Sequence, residues 1–328
     1  MSINARKAEH LRIAAEPGVE HRSGPGLDAI RLRHRALPQR DLAAVDLEVT
    51  LFGVRLQAPL LVNAMTGGTD AAAAVNESLA TAAAEHGVGM VLGSGRALLA
   101  DHTLLDTYKR AARPPLLIAN LGAVGLTRDH AARLVDVLGA DGLSVHVNPL
   151  QEAIQPEGQP HYADVLDRIA ATASALAPLP VIVKEVGFGM DAEDVRALAA
   201  AGVAAVDVAG AGGTNWALIE GRRDPRAGAL AAGFADWGVP TARTVADAVA
   251  AVPELPVIAS GGLRDGVDVA KCLAMGASAG ALARPLLTAA QDGGASRAVA
   301  TIVDQLRIAV WACGAPSAAG MNAQRLLS

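Results

Sequence analysis

From residue 58 onward, eight short apolar runs alternate with helical patterns, and no other feature restricts the fold of this chain so tightly. The runs are 59–64, 89–93, 115–121, 142–148, 180–186, 204–208, 256–260 and 279–283. Several begin at Pro or Gly, and their lengths suit strands buried on both faces. Between them lie helical stretches at 70–86, 191–201, 241–252 and 265–275, the last placing Val267, Ala270 and Ala274 on one face. Thr69 or Asp70 can cap the first of these, and Glu193 and Asp194 suit the positive end of the second. The expected class is therefore α/β, a closed (β/α)8 TIM barrel over residues 58–328, with an open doubly wound sheet as the alternative. Residues 1–57, with the basic run 31–40, form an N-terminal arm expected to close over the active site. Residues 209–240 form a long Gly-rich loop, a length usually functional or disordered.

Composition narrows the function. A formal net charge of -5 and 2% aromatic residues argue against a nucleic-acid partner. Hydrophobic residues reach 52%, enough for a sizeable core, yet no apolar run approaches the ~18 residues that span a bilayer. Two cysteines, Cys272 and Cys313, make neither a disulfide framework nor a zinc site and read as small core residues. The charged start (Arg6, Lys7, Glu9, His10) lacks a signal-peptide apolar region, so a soluble cytoplasmic protein is expected.

The chemistry concentrates in residues 143–158. Strand alternation projects Ser144, His146 and Asn148 to one side, and Gln151 and Glu152 follow the break at Pro149 within one turn. Polar groups at the carboxyl end of an apolar strand are costly to bury without partners, and that is where a barrel keeps its active site. Glycine clusters follow four strands, at 67–68, 93–95, 210–213 and 261–262. Singly they read as tight turns; together at one end they read as backbone opened toward a ligand. The seventh and eighth loops, 262–264 and 283–285, occupy the usual barrel phosphate site. Lys184, on a buried strand, needs an anionic partner: either an internal one, Glu185 or Asp207, or, better, a negatively charged cofactor.

Taken together these residues resemble the type 2, FMN-dependent isopentenyl-diphosphate isomerase family. The resemblance runs from Arg6-Lys7-Ala8-Glu9-His10 through Ala36-Leu37-Pro38, Met65-Thr66-Gly67-Gly68, Ser94 with Arg96 and Asn120-Leu121-Gly122. It continues through 146–158, Gly212-Gly213-Thr214-Asn215-Trp216, and 260–264 with Asp268 and Lys271. It implies an FMN-binding barrel that interconverts isopentenyl and dimethylallyl diphosphate with reduced FMN, Mg²⁺ and NADPH as reductant, as a homo-oligomer (tetramer or octamer). FMN contacts would come from Met65, Thr66, Gly67, Ser94, Asn120, Lys184, Thr214, Gly262, Leu263, Arg264, Ala283 and Arg284. Substrate would meet Arg6, Lys7, His10, Ser94, Arg96, His146, Asn148, Gln151, Trp216 and Glu220, while Glu152 would hold the metal. Gln151, His146 and Lys184 would carry the catalysis. Two places depart from the family pattern: Gly95, expected to loosen Arg96 or widen the pocket, and Gln159-Pro160.

Two other readings share the barrel. An FMN-dependent 2-hydroxy-acid oxidase resembles its relatives in carrying a His base and an Arg clamp after the sixth strand, where this chain has Gly210–Trp216 with neither. A non-catalytic flavin-binding barrel would have no use for Gln151 beside Glu152.

Overall fold

The computed structural model describes residues 3–65, 67–108 and 111–327. A two-stranded antiparallel hairpin, β1 (Val49–Leu51) and β2 (Val54–Leu56), precedes eight parallel strands. These are β3 (Leu60–Val62), β4 (Gly89–Val91), β5 (Leu117–Gly122), β6 (Gly142–His146), β7 (Val181–Lys184), β8 (Ala205–Asp207), β9 (Val257–Ala259) and β10 (Ala279–Leu282). β10 pairs with both β9 and β3, closing the barrel, so the open sheet is excluded; each expected run matches one strand, β5 reaching one residue past its run to Gly122.

The helices between them start where the local chemistry allows. Thr69 accepts from the Ala72 N–H ahead of Asp70–Glu85, Asp191 caps Ala192–Ala200, and Asp265 caps Gly266–Ala274. The last of these corrects an expectation: Ala270 and Ala274 are buried but Val267 is 39% exposed. Its inward face is widened instead by Val269, Cys272 and Leu273. Both cysteines are free and buried, and burial pushes the Cys272 thiol up to about 12. Residues 209–240 are also more ordered than a loop. They contain Trp216–Arg223, capped by Asn215, and Pro225–Ala231, capped by Asp224.

Pleat alternation gives the barrel an apolar end and a polar end. Leu61, Val91, Leu116, Ile118, Ile182, Ala205, Ile258, Ala279 and Ala281 form one inner cluster, completed by Leu51 and Leu56 of the hairpin. At the carboxyl ends the same inward positions become Asn120, Ser144, His146, Lys184 and Asp207. Parallel register places His146 opposite Lys184 and Lys184 opposite Asp207, which sets the polar groups at one level. The residues before the barrel therefore divide in two. The helix Ile3–Ala15 brings Arg6, Lys7 and His10 to the polar end, whereas the hairpin plugs the opposite, apolar end.

Candidate active site

A cavity of about 760 Å³ opens at the polar end of the barrel. Met65, Gly67, Ser94, Arg96, Asn120, His146, Asn148, Gln151, Glu152 and Lys184 all line it. So do Arg6, Lys7 and His10 from the arm, and Thr214, Trp216, Gly262, Leu263, Arg264, Ala283 and Arg284 from the later loops. Thr66 lies outside the described residues. Glu220 is placed differently. It is wholly buried and does not line the cavity, so the expectation of direct substrate contact is corrected.

Glu220 instead stands behind the wall and organises it. One carboxylate oxygen accepts from Gln151 Nε2 at 2.7 Å and lies 2.9 Å from His10 Nε2. The other accepts from Arg223 at 2.5 Å. Burial alone would raise this carboxyl, but the adjacent His10 ring and the bonds from Gln151 and Arg223 more than offset it and hold the group below its usual range. Arg223 also reaches Glu9 at 2.9 Å and Glu157 at 3.1 Å, so the arm, the Pro-Glu-Gly turn and the helix Trp216–Arg223 meet on one guanidinium. His10 packs edge-on against Trp216, with ring centroids 5.4 Å apart.

Asn148 is the second organising residue. Its side-chain amide donates to Gln151 Oε1 at 3.0 Å and to Glu152 Oε1 at 3.3 Å. Its own N–H donates to the Tyr162 hydroxyl at 2.9 Å, and that hydroxyl donates back to Asn148 Oδ1 at 3.1 Å. Glu152 Oε2 accepts from the Gln159 N–H at 2.8 Å. The Gln159-Pro160 departure thus leaves the backbone donor to Glu152 in place. Gly95, the other departure, faces away from the cavity. A Cβ there would fall 2.4 Å from Leu134 Cδ1, so the glycine serves helix packing and does not widen the pocket.

The cationic corner has its own logic. Lys7 Nζ donates to the Ser94 carbonyl at 2.6 Å and to the Tyr108 hydroxyl at 2.9 Å. Burial, then the charges of Arg6 and Arg96, lower its pKa to about 7. His146 Nδ1 meets Asn120 Oδ1 at 2.8 Å, which assigns the proton to Nδ1 and leaves Nε2 as an acceptor. Burial, reinforced by Lys184, Arg96 and Lys7, brings His146 down to about 3, so it is neutral here. Arg96 donates to the Val124 carbonyl. Lys184 proves to have an internal partner: Asp207 Oδ2 lies 3.7 Å from Nζ, and the Glu185 carbonyl accepts from Nζ at 2.6 Å. A cofactor charge is therefore not required to explain the lysine, although Lys184 still faces the cavity.

At the far side the loops after β8 and β9 touch backbone to backbone. A Cβ on Gly213 would fall 2.4 Å from the Gly262 nitrogen, and Gly262 itself sits at φ +72. The Arg264 guanidinium is held by Asp28 at 2.7 Å and Asp268 at 2.8 Å. Arg284 donates to the arm carbonyls of Ala14 at 2.8 Å and Glu16 at 2.9 Å.

Sequence reasoning missed Tyr108, Tyr162 and Asn63, which donates to Asp207 at 2.8 Å. The signal for the first two was rarity: the chain has only 2 tyrosines, and both support this site.

The family model described as FMN-dependent dehydrogenase matches residues 5–103 and 126–328. A protein of Stutzerimonas stutzeri named isopentenyl-diphosphate delta-isomerase is 44% identical, covering 99% of this chain and 97% of its own. Proteins of the same name from Xanthobacter autotrophicus and a Synechococcus are 46% and 47% identical, over 94% and 89% of this chain and 93% and 86% of theirs. This chain belongs to the isopentenyl-diphosphate delta-isomerase family. Among solved structures, a mutant flavocytochrome b2 with benzoylformate superposes with a TM-score of 0.71 at 18% identity, covering 97% of this chain and 82% of that one. A mandelate oxidase mutant gives 0.65 at 20% identity, covering 97% and 91%. At such identities the likeness is one of fold, and it places the isomerase family on the barrel that flavin oxidases also use.

Proposed function

We propose that this chain interconverts isopentenyl and dimethylallyl diphosphate by moving one proton across an allylic system, using reduced FMN and Mg²⁺. The observation that carries this reading is a single cavity joining a cationic corner (Arg6, Lys7, Arg96) to a braced pair, Gln151 and Glu152.

The residues present fit both groups. The volume, about 760 Å³, suits a flavin mononucleotide beside a small diphosphate. Met65, Gly67, Ser94, Asn120, Lys184 and Thr214 would hold the flavin ring system and its chain, with 262–264 and 283–284 on its phosphate side. Among the described residues no trio of His, Cys, Asp or Glu gathers for a metal. That suits Mg²⁺, which keeps waters and shares phosphate oxygens, with Glu152 as its one protein ligand.

When bound, reduced flavin supplies an electron-rich ring nitrogen that can give and take a proton. The chain's own residues do the rest. Lys184 places a positive charge under the site to favour an electron-rich ligand. Arg6, Lys7 and Arg96 anchor the diphosphate, so binding energy remote from the alkene orients it. Gln151, fixed by Asn148 and Glu220, holds its amide where it would attend the proton on one face of the alkene. His146, neutral and steered by Asn120, presents Nε2 to the same space.

The test is an anaerobic assay with FMN, Mg²⁺, isopentenyl diphosphate and one reductive pulse of NADPH. Many turnovers per pulse are expected, with solvent deuterium in the product. Oxidation of NADPH in proportion to product would show a dehydrogenase or reductase instead. A cytoplasmic homo-oligomer is part of the same proposal.

A further inference from the structure

A second cavity, of about 730 Å³, lies outside the barrel wall, behind β6 and β7. It is floored by Val147 and Val183 and flanked by the helices Val165–Leu176 and Ala192–Ala200 and by the segment 236–239. Its walls are apolar, with Leu150, Ile169, Phe188 and Leu198 among them. Every charged side chain lining it is a carboxylate: Glu185, Asp191, Asp194 and Asp236. Two of these are partly spent inside the protein, since Asp191 Oδ1 caps a helix and Asp236 Oδ1 accepts from the Ser23 N–H.

Glu185 is the unusual one. It is 5% exposed, and its Oε2 accepts three backbone N–H bonds, from Val186, Gly187 and Phe188, at 2.5–2.6 Å. Its Oε1 has no donor among the described residues. Burial raises this carboxyl to about 7, the signature of a charge short of compensation. The residue lines the second cavity and not the first. A carboxylate oxygen that has no donor and opens on an apolar, uniformly acidic cavity calls for a donor that carries positive charge on an apolar body.

We propose that this cavity binds an amphipathic ammonium compound, its apolar body between the two helices and its amine on Glu185 Oε1. The site is wired to the first. Tyr162 lines the second cavity and holds Asn148, which braces Gln151 and Glu152. The Glu185 carbonyl accepts from Lys184 Nζ. An occupant that moves Tyr162 or Glu185 therefore reaches the groups that position substrate, and the ligand acts as a regulator. The binding claim stands apart from the flavin reading, because it is measured without turnover.

n-Octylammonium, with octanoate and 1-octanol as controls, is titrated calorimetrically into the full-length protein loaded with FMN. One site per chain is expected, with the ammonium bound at least about tenfold more tightly than either control. Glu185→Gln should weaken it about tenfold or more. Ala197→Phe, which fills the cavity from the flanking helix, should abolish it while leaving the flavin absorbance spectrum unchanged. Where Glu185→Gln does not fold, Ala197→Phe decides alone. Equal binding of octanoate, or parent-like binding by Ala197→Phe, would overturn the proposal, the second result placing the amine in the first cavity. Failure of the parent to bind any probe overturns it too. If Ala197→Phe also lowers the sedimenting mass, a second copy of the chain covers this face and the proposal is overturned.

Discussion

Glu152 keeps one carboxylate oxygen on the Asn148 amide at 3.3 Å and the other on the Gln159 N–H at 2.8 Å, which fixes the group without neutralising it. Glu152→Gln retains the shape and removes the hard anionic ligand. The Mg²⁺ concentration needed for half-maximal activity should rise by about tenfold or more, with flavin affinity unchanged. An unaltered Mg²⁺ dependence would sink the assignment. Lys7 makes a different prediction, because its pKa of about 7 is set by burial beside Arg6 and Arg96. A diphosphate in this corner supplies the missing negative charge and favours the protonated amine. Above pH 7 the amine is mostly neutral beforehand, so binding should take up protons. Below pH 7 it is already charged and the uptake should fade. Calorimetry in buffers of differing ionisation enthalpy measures this, and the difference between the parent and Lys7→Met at pH 8 should approach one proton. His146, at about 3, stays outside that window.

At the scale of elements, the arm helix is held by charge at its middle and at its C-terminal end. Arg284 binds its final carbonyls, and Glu9 and His10 join the Glu220–Arg223 pair. The Arg223 and Glu220 side chains are 2% and 0% exposed, so removing the arginine strands a buried carboxylate. Arg223→Met should cost about 3–5 kcal/mol in urea unfolding and expose the arm to limited proteolysis. Arg12 also pairs with a glutamate, Glu16, but those side chains are 64% and 38% exposed. Arg12→Met should therefore change stability by less than about 1 kcal/mol. Equal losses in the two variants would show that burial of the pair is not what matters. The loop after β8 teaches a related lesson. Its glycines read as backbone opened toward a ligand, yet Gly213 meets Gly262 of the next loop, and both cavity and loop contact depend on the same missing side chains.

On the scale of the whole molecule, the barrel separates stability from chemistry along its axis. The hairpin residues Leu51 and Leu56 close the apolar end, far from the cavity that the arm helix covers. Leu56 is 0% exposed, and Leu56→Ala should cost about 2–5 kcal/mol by transfer and cavity terms together. Flavin and substrate affinity in the variant that remains folded should match the parent. A large loss of affinity at unchanged stability would show that the two ends are coupled.

The eight strands and their helices were legible because their cause is local. An apolar run between turn residues has few ways to bury itself, and eight such units close. Most of the cavity was legible for the same reason, since polar side chains at strand ends such as His146 and Lys184 must share one level once register is parallel. What the tertiary structure alone decided were the long-range pairings. No spacing marks Asp207 rather than an external anion as the partner of Lys184, nor sets Tyr162 behind Asn148. Nor does any local pattern send residues 49–56 to one end of the barrel and residues 3–15 to the other. Glu220 shows the reason most plainly. A carboxylate four residues past Trp216 reads as a ligand-facing group, but its burial is set by His10, Gln151 and Arg223, the first two brought to it from distant parts of the chain by closure of the barrel.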